Sequence, residues 1–397
     1  MKKFYFNLYL EINESKYIFF VEKSDGENYF EIDYKLEVPL EGIINNKITN
    51  LEKSYNVIKE NIYLLEEKFK CTFKELILIL ENLSPTYLNL SGYKKLNGSQ
   101  ITKENIIYIL NTCKSIVSEA EFKKKILHIF NSKYYLDNQK VENLPIGLFG
   151  DFYSHELSFI LINKNDYKNL KNLFDNCNLK IKKILVKNFI KGANISQNYN
   201  VETFFHLRIS KSNSKIFYFE NDSLKFEQNF SFGSDIIIKD ISKITSLKED
   251  TVIKILNEIE YKEDVPDDKL INERFFKEDN YTKIKKKLIY EIALARINEI
   301  LEIIIFKNIN FKNNKKFSNN LFFEINLQLD FKYFEEIFKK VILDTKDYNL
   351  ILLDNISDKS ILNSANKIAH FGWKKEAIPV SQFKKSLIAR FFDKIFG

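Results

Sequence analysis

Apolar residues, many of them aromatic or β-branched, fill two short runs at the start of the chain, over 4–10 and 17–21, and the polar turn between them predicts a β-hairpin belonging to a buried sheet. The period then lengthens. Leu51, Tyr55, Ile58, Ile62, Leu65 and Phe69 recur at alternating spacings of four and three, which lays them on one face of a helix against that sheet. A short apolar strand follows over 76–80. The pattern from 87 to about 177 reads as a compact α+β module: strand 87–90, helix 102–117, strands 125–130 and 157–162, then another helix. An apolar strand resumes at 181–186, and three more over 203–209, 215–219 and 223–230 suggest a second antiparallel set. Helices are expected near 233–244, 248–258, 281–305, 331–342 and 359–371, with a strand at 321–325. The two halves echo each other as sheet plus helices, without a short-period repeat.

The 397 residues exceed one small core and fit two or three units or a large two-lobed fold. Hydrophobic residues at 45%, with 36 Phe and 21 Tyr, allow substantial burial. Only 10 residues are glycine, about a third of the usual share of roughly 7%. A function that needs several glycine-rich loops is therefore disfavoured. The net charge of +7 comes from lysines spread along the whole chain, so no nucleic-acid stripe is implied. Cys71, Cys113 and Cys177 lie far apart with no metal-type spacing and read as reduced, buried residues of a cytoplasmic protein. Residues 1–10 read as a strand and not a signal peptide. No uncharged apolar run approaches the roughly 18 residues of a spanning helix, so membrane contact is expected to be peripheral.

Several motifs occur in one particular order. Glu11, Ile12, Asn13, Glu14, Ser15 and Lys16 follow the first strand; Leu88 to Gly92 precede Thr102 to Asn105; Ile126, Leu127, His128 and Ile129 precede Lys133, Tyr134, Tyr135, Leu136 and Asp137. Then come Pro145, Ile146, Gly147, Leu148 and Gly150, Gly233 with Asp240 and Ile241, and Arg296. Taken together they resemble the FtsA family of bacterial cell-division proteins, within the actin, Hsp70 and sugar-kinase superfamily. The resemblance implies an α/β fold of the actin-like ATPase type, with two ribonuclease-H-like lobes, a small inserted α+β domain in the first half and a C-terminal amphipathic helix. The expected division is 1–83 for the first subdomain, completed by about 178–200, and 84–177 for the insertion. Residues 201–238 with 318–378 form the second subdomain, 239–317 a small lobe, and 379–397 a linker and membrane-targeting helix.

In that superfamily two glycine-rich hairpins hold ATP phosphates through bare backbone N–H groups, and an acidic residue positions Mg²⁺. The second hairpin falls here on His206, Leu207, Arg208, Ile209, Ser210 and Lys211, with His in place of Asp and no glycine. The adenosine loop falls on 323–331, with Glu324 and Ile325 at its paired glycines. The cofactor positions that survive are Asn13, Ser15, Lys16, Arg208, Ser210 and Gly233. Arg208, Lys211 and Lys215 could meet phosphate by charge alone or sit as solvated hairpin charges. ATP with Mg²⁺ is the family's cofactor; the lost glycines and Asp predict weak or absent binding and no hydrolysis.

Beyond Pro379 the segment 381–397 is amphipathic: Phe383, Leu387, Ile388, Phe391, Phe392, Ile395 and Phe396 are its apolar residues. Lys384, Lys385, Arg390 and Lys394 outnumber Asp393, which suits an anionic lipid surface at about 1 kcal/mol per basic residue. The resemblance further implies recognition of the acidic C-terminal peptide of the tubulin-like FtsZ. Arg274, Lys283, Lys285, Lys286, Lys287 and Arg296 supply a basic cluster, Arg296 first and Lys287 second. Also implied are self-association into filaments, other division proteins as partners, and a place on the cytoplasmic face of the inner membrane at the division site. An actin-like adaptor of type IV pilus assembly and an ATP-dependent sugar kinase are the alternative readings. The kinase would need a catalytic Asp and intact glycine loops.

Overall fold

In the computed structural model, which describes residues 5–24, 30–44, 47–81, 85–258, 269–276, 283–325, 332–345, 347–353, 356–373 and 375–377, the first hairpin is β1 (Tyr5–Ile12) and β2 (Lys16–Ser24). It extends to β3 (Phe30–Pro39), an unexpected strand. Its alternation of Ile32, Tyr34, Leu36 and Val38 with Asp33, Lys35 and Glu37 carries the signal, and its apolar side packs on the core only in part. A small ribbon, β4 (Ile43–Ile44) and β5 (Lys47–Ile48), leads into α1 (Leu51–Phe69). Asn50 caps α1 by accepting from the Lys53 N–H at 3.0 Å. Ile58, Ile62 and Leu65 bury its predicted face, each contributing about 2 kcal/mol.

β6 (Glu75–Leu80) pairs parallel to β1. The chain then builds the inserted module from β7 (Thr86–Lys95), α2 (Lys103–Ala120), β8 (Lys124–Leu136), β9 (Gln139–Val141) and β10 (Phe152–Asn163), with strand order β7-β10-β8-β9. A Cβ on Gly92 of β7 would come within 2.6 Å of Ile109 and 2.8 Å of Cys113, so glycine there is what lets α2 lie against the sheet. The following helix, α3 (Lys164–Asn176), was expected within the module, but its buried face of Leu170, Leu173 and Phe174 joins the core of the first sheet. β11 (Lys180–Val186) adds parallel to β6, giving the order β11-β6-β1-β2-β3. Next is α4 (Lys187–Tyr199), which the sequence pattern hides because it is buried on nearly every side, from Asn188 through Ser196.

The second unit comprises Glu202–Phe219 and Phe226–Ile356; the first comprises Met1–Val201, Glu220–Lys225 and Ser357–Gly397. In the second, β12 (Phe204–Ile209), β13 (Ser214–Glu220) and β14 (Ser223–Phe230) are followed by α5 (Asp235–Thr245), α6 (Glu249–Glu258) and α7 (Lys286–Leu301). A π-helical turn, Glu302–Phe306, extends α7. After it come α8 (Ile309–Lys315), β15 (Asn320–Ile325), α9 (Lys332–Asp344) and β16 (Asn349–Leu352). The sheet order is β14-β13-β12-β15-β16, with β15 and β16 parallel to β12. This repeats the first unit: an opening strand with its two successors on one side and two later parallel strands on the other. The expected small lobe at 239–317 shares one continuous core with this sheet, in which Ile241, Ile255, Ile297 and Ile304 join Leu207, Phe323 and Phe338.

The final helix, α10 (Asp358–Phe371), was expected in the second half and belongs to the first unit. Asn194 Nδ2 donates to Ser364 Oγ at 3.1 Å, Tyr9 Oη to Asn366 Oδ1 at 3.0 Å, and Lys183 Nζ to the Ile368 carbonyl at 3.0 Å. Helical periodicity cannot say which sheet a helix returns to. Residues 375–377 then bridge to β8: the Asn131 N–H donates to the Lys375 carbonyl at 2.6 Å and the Ala377 N–H to the Ile129 carbonyl at 2.7 Å. Among the described residues no helix is long and apolar enough to cross a membrane.

Candidate functional site

The β1–β2 turn is the first of the predicted phosphate positions. Asn13 Oδ1 accepts from the backbone N–H of Ser15 at 3.0 Å and of Lys16 at 2.8 Å, and the Asn13 N–H donates to the Lys16 carbonyl at 3.1 Å. With glycine at the first position those amides would face outward as an anion-binding concavity. Here a carboxamide oxygen sits in their place. Lys16 turns away to Glu37, Nζ to Oε2 2.5 Å. Hydrogen bonds from Lys16 and Lys35 hold the Glu37 carboxyl down to about 2.

Behind this turn the carboxyl ends of three parallel strands meet. The pairings Glu11 with Ile79, Ile12 with Leu80 and Val186 with Leu80 bring Glu11, Glu81 and Lys187 to one edge of the sheet, the edge at which open α/β sheets receive ligands. Lys187 Nζ lies 2.7 Å from Glu11 Oε1 and 3.1 Å from Glu81 Oε2, and Glu11 is 2% exposed. Burial would lower the Lys187 ammonium, but Glu81 and Glu11 outweigh it and leave the ammonium above its ordinary value. Burial likewise pushes the Glu11 carboxyl up, against the pull of Lys187. The sequence offered a signal for this trio, because Glu81 and Lys187 each stand directly after a buried apolar strand and so at its functional end.

In the second unit the β12–β13 turn presents carbonyls. The Ser210 N–H donates to the Asn213 carbonyl at 2.9 Å, while the Ser210 and Lys211 carbonyls accept from the Ser234 and Asp235 N–H groups at 3.0 and 2.9 Å. The first amides of α5 are thereby spent. A Cβ at Gly233 would lie 2.1 Å from the Ser210 carbonyl oxygen, so this glycine permits the turn to close on the helix. His206 Nε2 lies 3.1 Å from Glu324 Oε2, with both side chains buried on adjacent strands. His206 stands where the resembled pattern has Asp, and Glu324 where it has glycine. The two departures form a single contact. Arg208 is buried, in register with Lys215 and Glu324, and Lys215 Nζ lies 3.4 Å from Glu227 Oε1. Lys211 is exposed.

In the first unit the Ser15 and Lys16 amides are taken by Asn13 and the Glu11 and Glu81 carboxylates by Lys187; in the second, the Ser210 and Lys211 carbonyls of the turn are taken by the start of α5.

The predicted peptide-binding cations divide in two. Arg296 on α7 is committed within the unit: its Nε donates to Asp240 Oδ2 of α5, and its Nη1 donates to Glu299 Oε2 at 2.5 Å. The retained Asp240 and Arg296 thus clasp α5 to α7. Lys287 is half-buried, while Lys283, Lys285 and Arg274 are exposed, Arg274 at 5.0 Å from the Phe275 ring.

Other motif residues also hold structure together. Asn105 Oδ1 accepts from the Thr102 N–H at 2.8 Å and starts α2. Asp137 Oδ1 accepts from the Asp151 and Phe152 N–H groups at 2.9 and 2.8 Å, tying β8 to β10. His128 Nδ1 lies 3.2 Å from Glu376 Oε1, whose other oxygen accepts from Lys183 Nζ at 2.9 Å. Phe383, Leu387, Ile388, Arg390, Phe391, Phe392, Lys394, Ile395 and Phe396 lie outside the described residues, as does 326–331 of the predicted adenosine loop.

No family model matches the chain. In sequence it is similar to the cell division protein FtsA of Buchnera aphidicola subsp. Schizaphis graminum, 23% identical over 269 residues, or 66% of this chain and 63% of that protein. The FtsA of Buchnera aphidicola subsp. Acyrthosiphon pisum is 24% identical over 211 residues, 53% of this chain and 50% of the relative. That of Escherichia coli K12 is 22% identical over 165 residues, 42% and 37%. The matched stretches span less than two thirds of these relatives' own length. In three dimensions the chain is similar to a chain of the PilM-PilN type IV pilus biogenesis complex, with a TM-score of 0.50 at 10% identity, covering 91% of this chain and 95% of that one. The likeness is one of fold, and the fold is actin-like.

Proposed function

From distant homology to the cell division protein FtsA and an actin-like fold, we propose that this chain is a division scaffold that links FtsZ polymers to the cytoplasmic membrane at the division site without depending on ATP. It is not an enzyme in this reading. The observation that carries it is the way the motif positions are used. Those that would receive nucleotide are closed by the chain's own groups, with Asn13 on the Ser15 and Lys16 amides and the Ser210 and Lys211 carbonyls on α5. Those that shape the family's framework, Thr102, Asp137, Asp240 and Arg296, remain in structural contacts. A scaffold needs the second set and can dispense with the first.

The contact with lipid is assigned to 381–397, whose apolar residues would enter the interface while Lys384, Lys385, Arg390 and Lys394 meet anionic headgroups. For the acidic FtsZ tail, Arg296, which also holds Asp240 and Glu299, and then Lys287, with exposed Lys283 and Lys285 on the same segment, are the assigned receptors. Filament formation and recruitment of further division proteins complete the proposal.

Co-sedimentation tests it. FtsZ polymers should pellet with anionic liposomes when the full chain is present, and deletion of 381–397 should abolish this. Unchanged recruitment by the deletion variant would overturn the membrane role, and micromolar binding of Mg-ATP in calorimetry would overturn the nucleotide-independent reading.

A further inference from the structure

We infer that Lys187 is a built-in cation that fills the place where the first sheet would otherwise take a divalent metal. The place is defined by topology before any side chain is considered: β1, β6 and β11 run parallel and end together, and the carboxyl edge of such strands is where ligands bind in open α/β sheets. Glu11 stands one residue before the end of β1, Glu81 directly follows β6, and the segment leaving β11 opens α4 with Lys187. Its ammonium contacts both, at 2.7 and 3.1 Å.

Two carboxylates that share one small cation, with solvent completing the shell, are an ordinary arrangement for Mg²⁺ or Mn²⁺. The difference here is that the cation is covalently attached. Removing it would leave Glu11, at 2% exposure, beside Glu81 with no counter-ion at 2.7 Å and with Asp358 adding further negative potential. Like charges so placed resist joint ionisation unless a cation returns. Among the described residues no group of three or more His, Cys, Asp or Glu side chains is placed to hold a metal.

The consequence is that the first unit holds its edge in one charge state whatever the divalent concentration, and that a single substitution should reopen the site. This deepens the nucleotide-independent reading and rests on it, but not on the division role: failure of FtsZ recruitment to liposomes would leave it intact.

The test uses the full chain and MnCl₂ alone, with free Mn²⁺ followed by electron paramagnetic resonance. The native chain should take up no more Mn²⁺ than the Glu11→Gln variant. Lys187→Ala should bind one equivalent and melt at a higher temperature with the metal than without it, and the double variant K187A/E11Q should return to background. Lys187→Gln keeps a hydrogen-bond donor between the carboxylates and, should K187A not fold, decides the matter by the same criteria. Uptake by the native chain that E11Q removes would overturn the inference. So would a folded K187A or K187Q that takes up no Mn²⁺ beyond its E11Q double variant.

Discussion

Replacing Glu376 by Gln tests how the last described turn of the chain is fastened to the first unit. Its carboxylate meets His128 on one oxygen at 3.2 Å and Lys183 on the other at 2.9 Å. Burial opposes the charge, yet hydrogen bonding and attraction from His128, together with Lys183, draw the carboxyl from 4.5 down to about 2. At about 1.4 kcal/mol per pH unit of difference, the ionised group contributes about 3 kcal/mol near neutral pH. The sign follows from the depressed folded value: the contribution is complete above the unfolded value of 4.5 and is lost as pH falls through about 2. Near pH 3 it has dropped to roughly 1.4 kcal/mol, under half. Trp373, the chain's single tryptophan, reports at this spot, because its N–H lies 3.4 Å from Glu376 Oε2 and its ring Nε1 donates to the Asp222 carbonyl at 2.8 Å. Urea unfolding followed by tryptophan emission should show E376Q less stable by about 3 kcal/mol at neutral pH, with the deficit more than halved near pH 3. Equal midpoints at neutral pH, or a deficit that does not change with pH, would refute the reasoning.

Gly233→Ala should destabilise the second unit by about 2 kcal/mol or more, since its Cβ would meet the Ser210 backbone carbonyl at 2.1 Å; circular dichroism in urea measures it. A double-mutant cycle of Arg296→Ala and Asp240→Asn should give a coupling of about 0.5 to 1 kcal/mol, because the two side chains remain 30% and 26% exposed. Asn13→Gly should cost about 1 kcal/mol by removing the acceptor for the Ser15 and Lys16 amides. That variant should stay silent to Mg-ATP in calorimetry, because Lys187 still lies between Glu11 and Glu81.

Periodicity made the surface-facing parts of the fold legible. α1 occupies the residues its apolar stripe marks, because one face of it meets water and the other a sheet. α4 shows no stripe, being enclosed from Asn188 to Ser196, whereas β3 is marked by its alternation of apolar residues with charges. The site was legible in its losses more than in its replacements. Missing glycines identify which loops have changed, but the groups that took over come from elsewhere in the chain. Lys187 reaches Glu11 across 176 positions, His206 reaches Glu324 across 118, and Asp240 waits 56 positions upstream of Arg296. A basic residue in a lysine-rich helix looks available for a partner until the fold supplies its acid.

The first unit is assembled from three separate stretches of chain, and this has a bearing on how it is made. The strands of its sheet leave the ribosome early, yet Asn366, Ser364, Trp373 and Glu376 arrive after the whole second unit has been synthesised. Tyr9, Asn194, the Asp222 carbonyl and His128 must wait for them. The second unit, closed by Ile356, can settle on the nascent chain while the first is still unfinished, so the unit whose strands are made earlier is completed later.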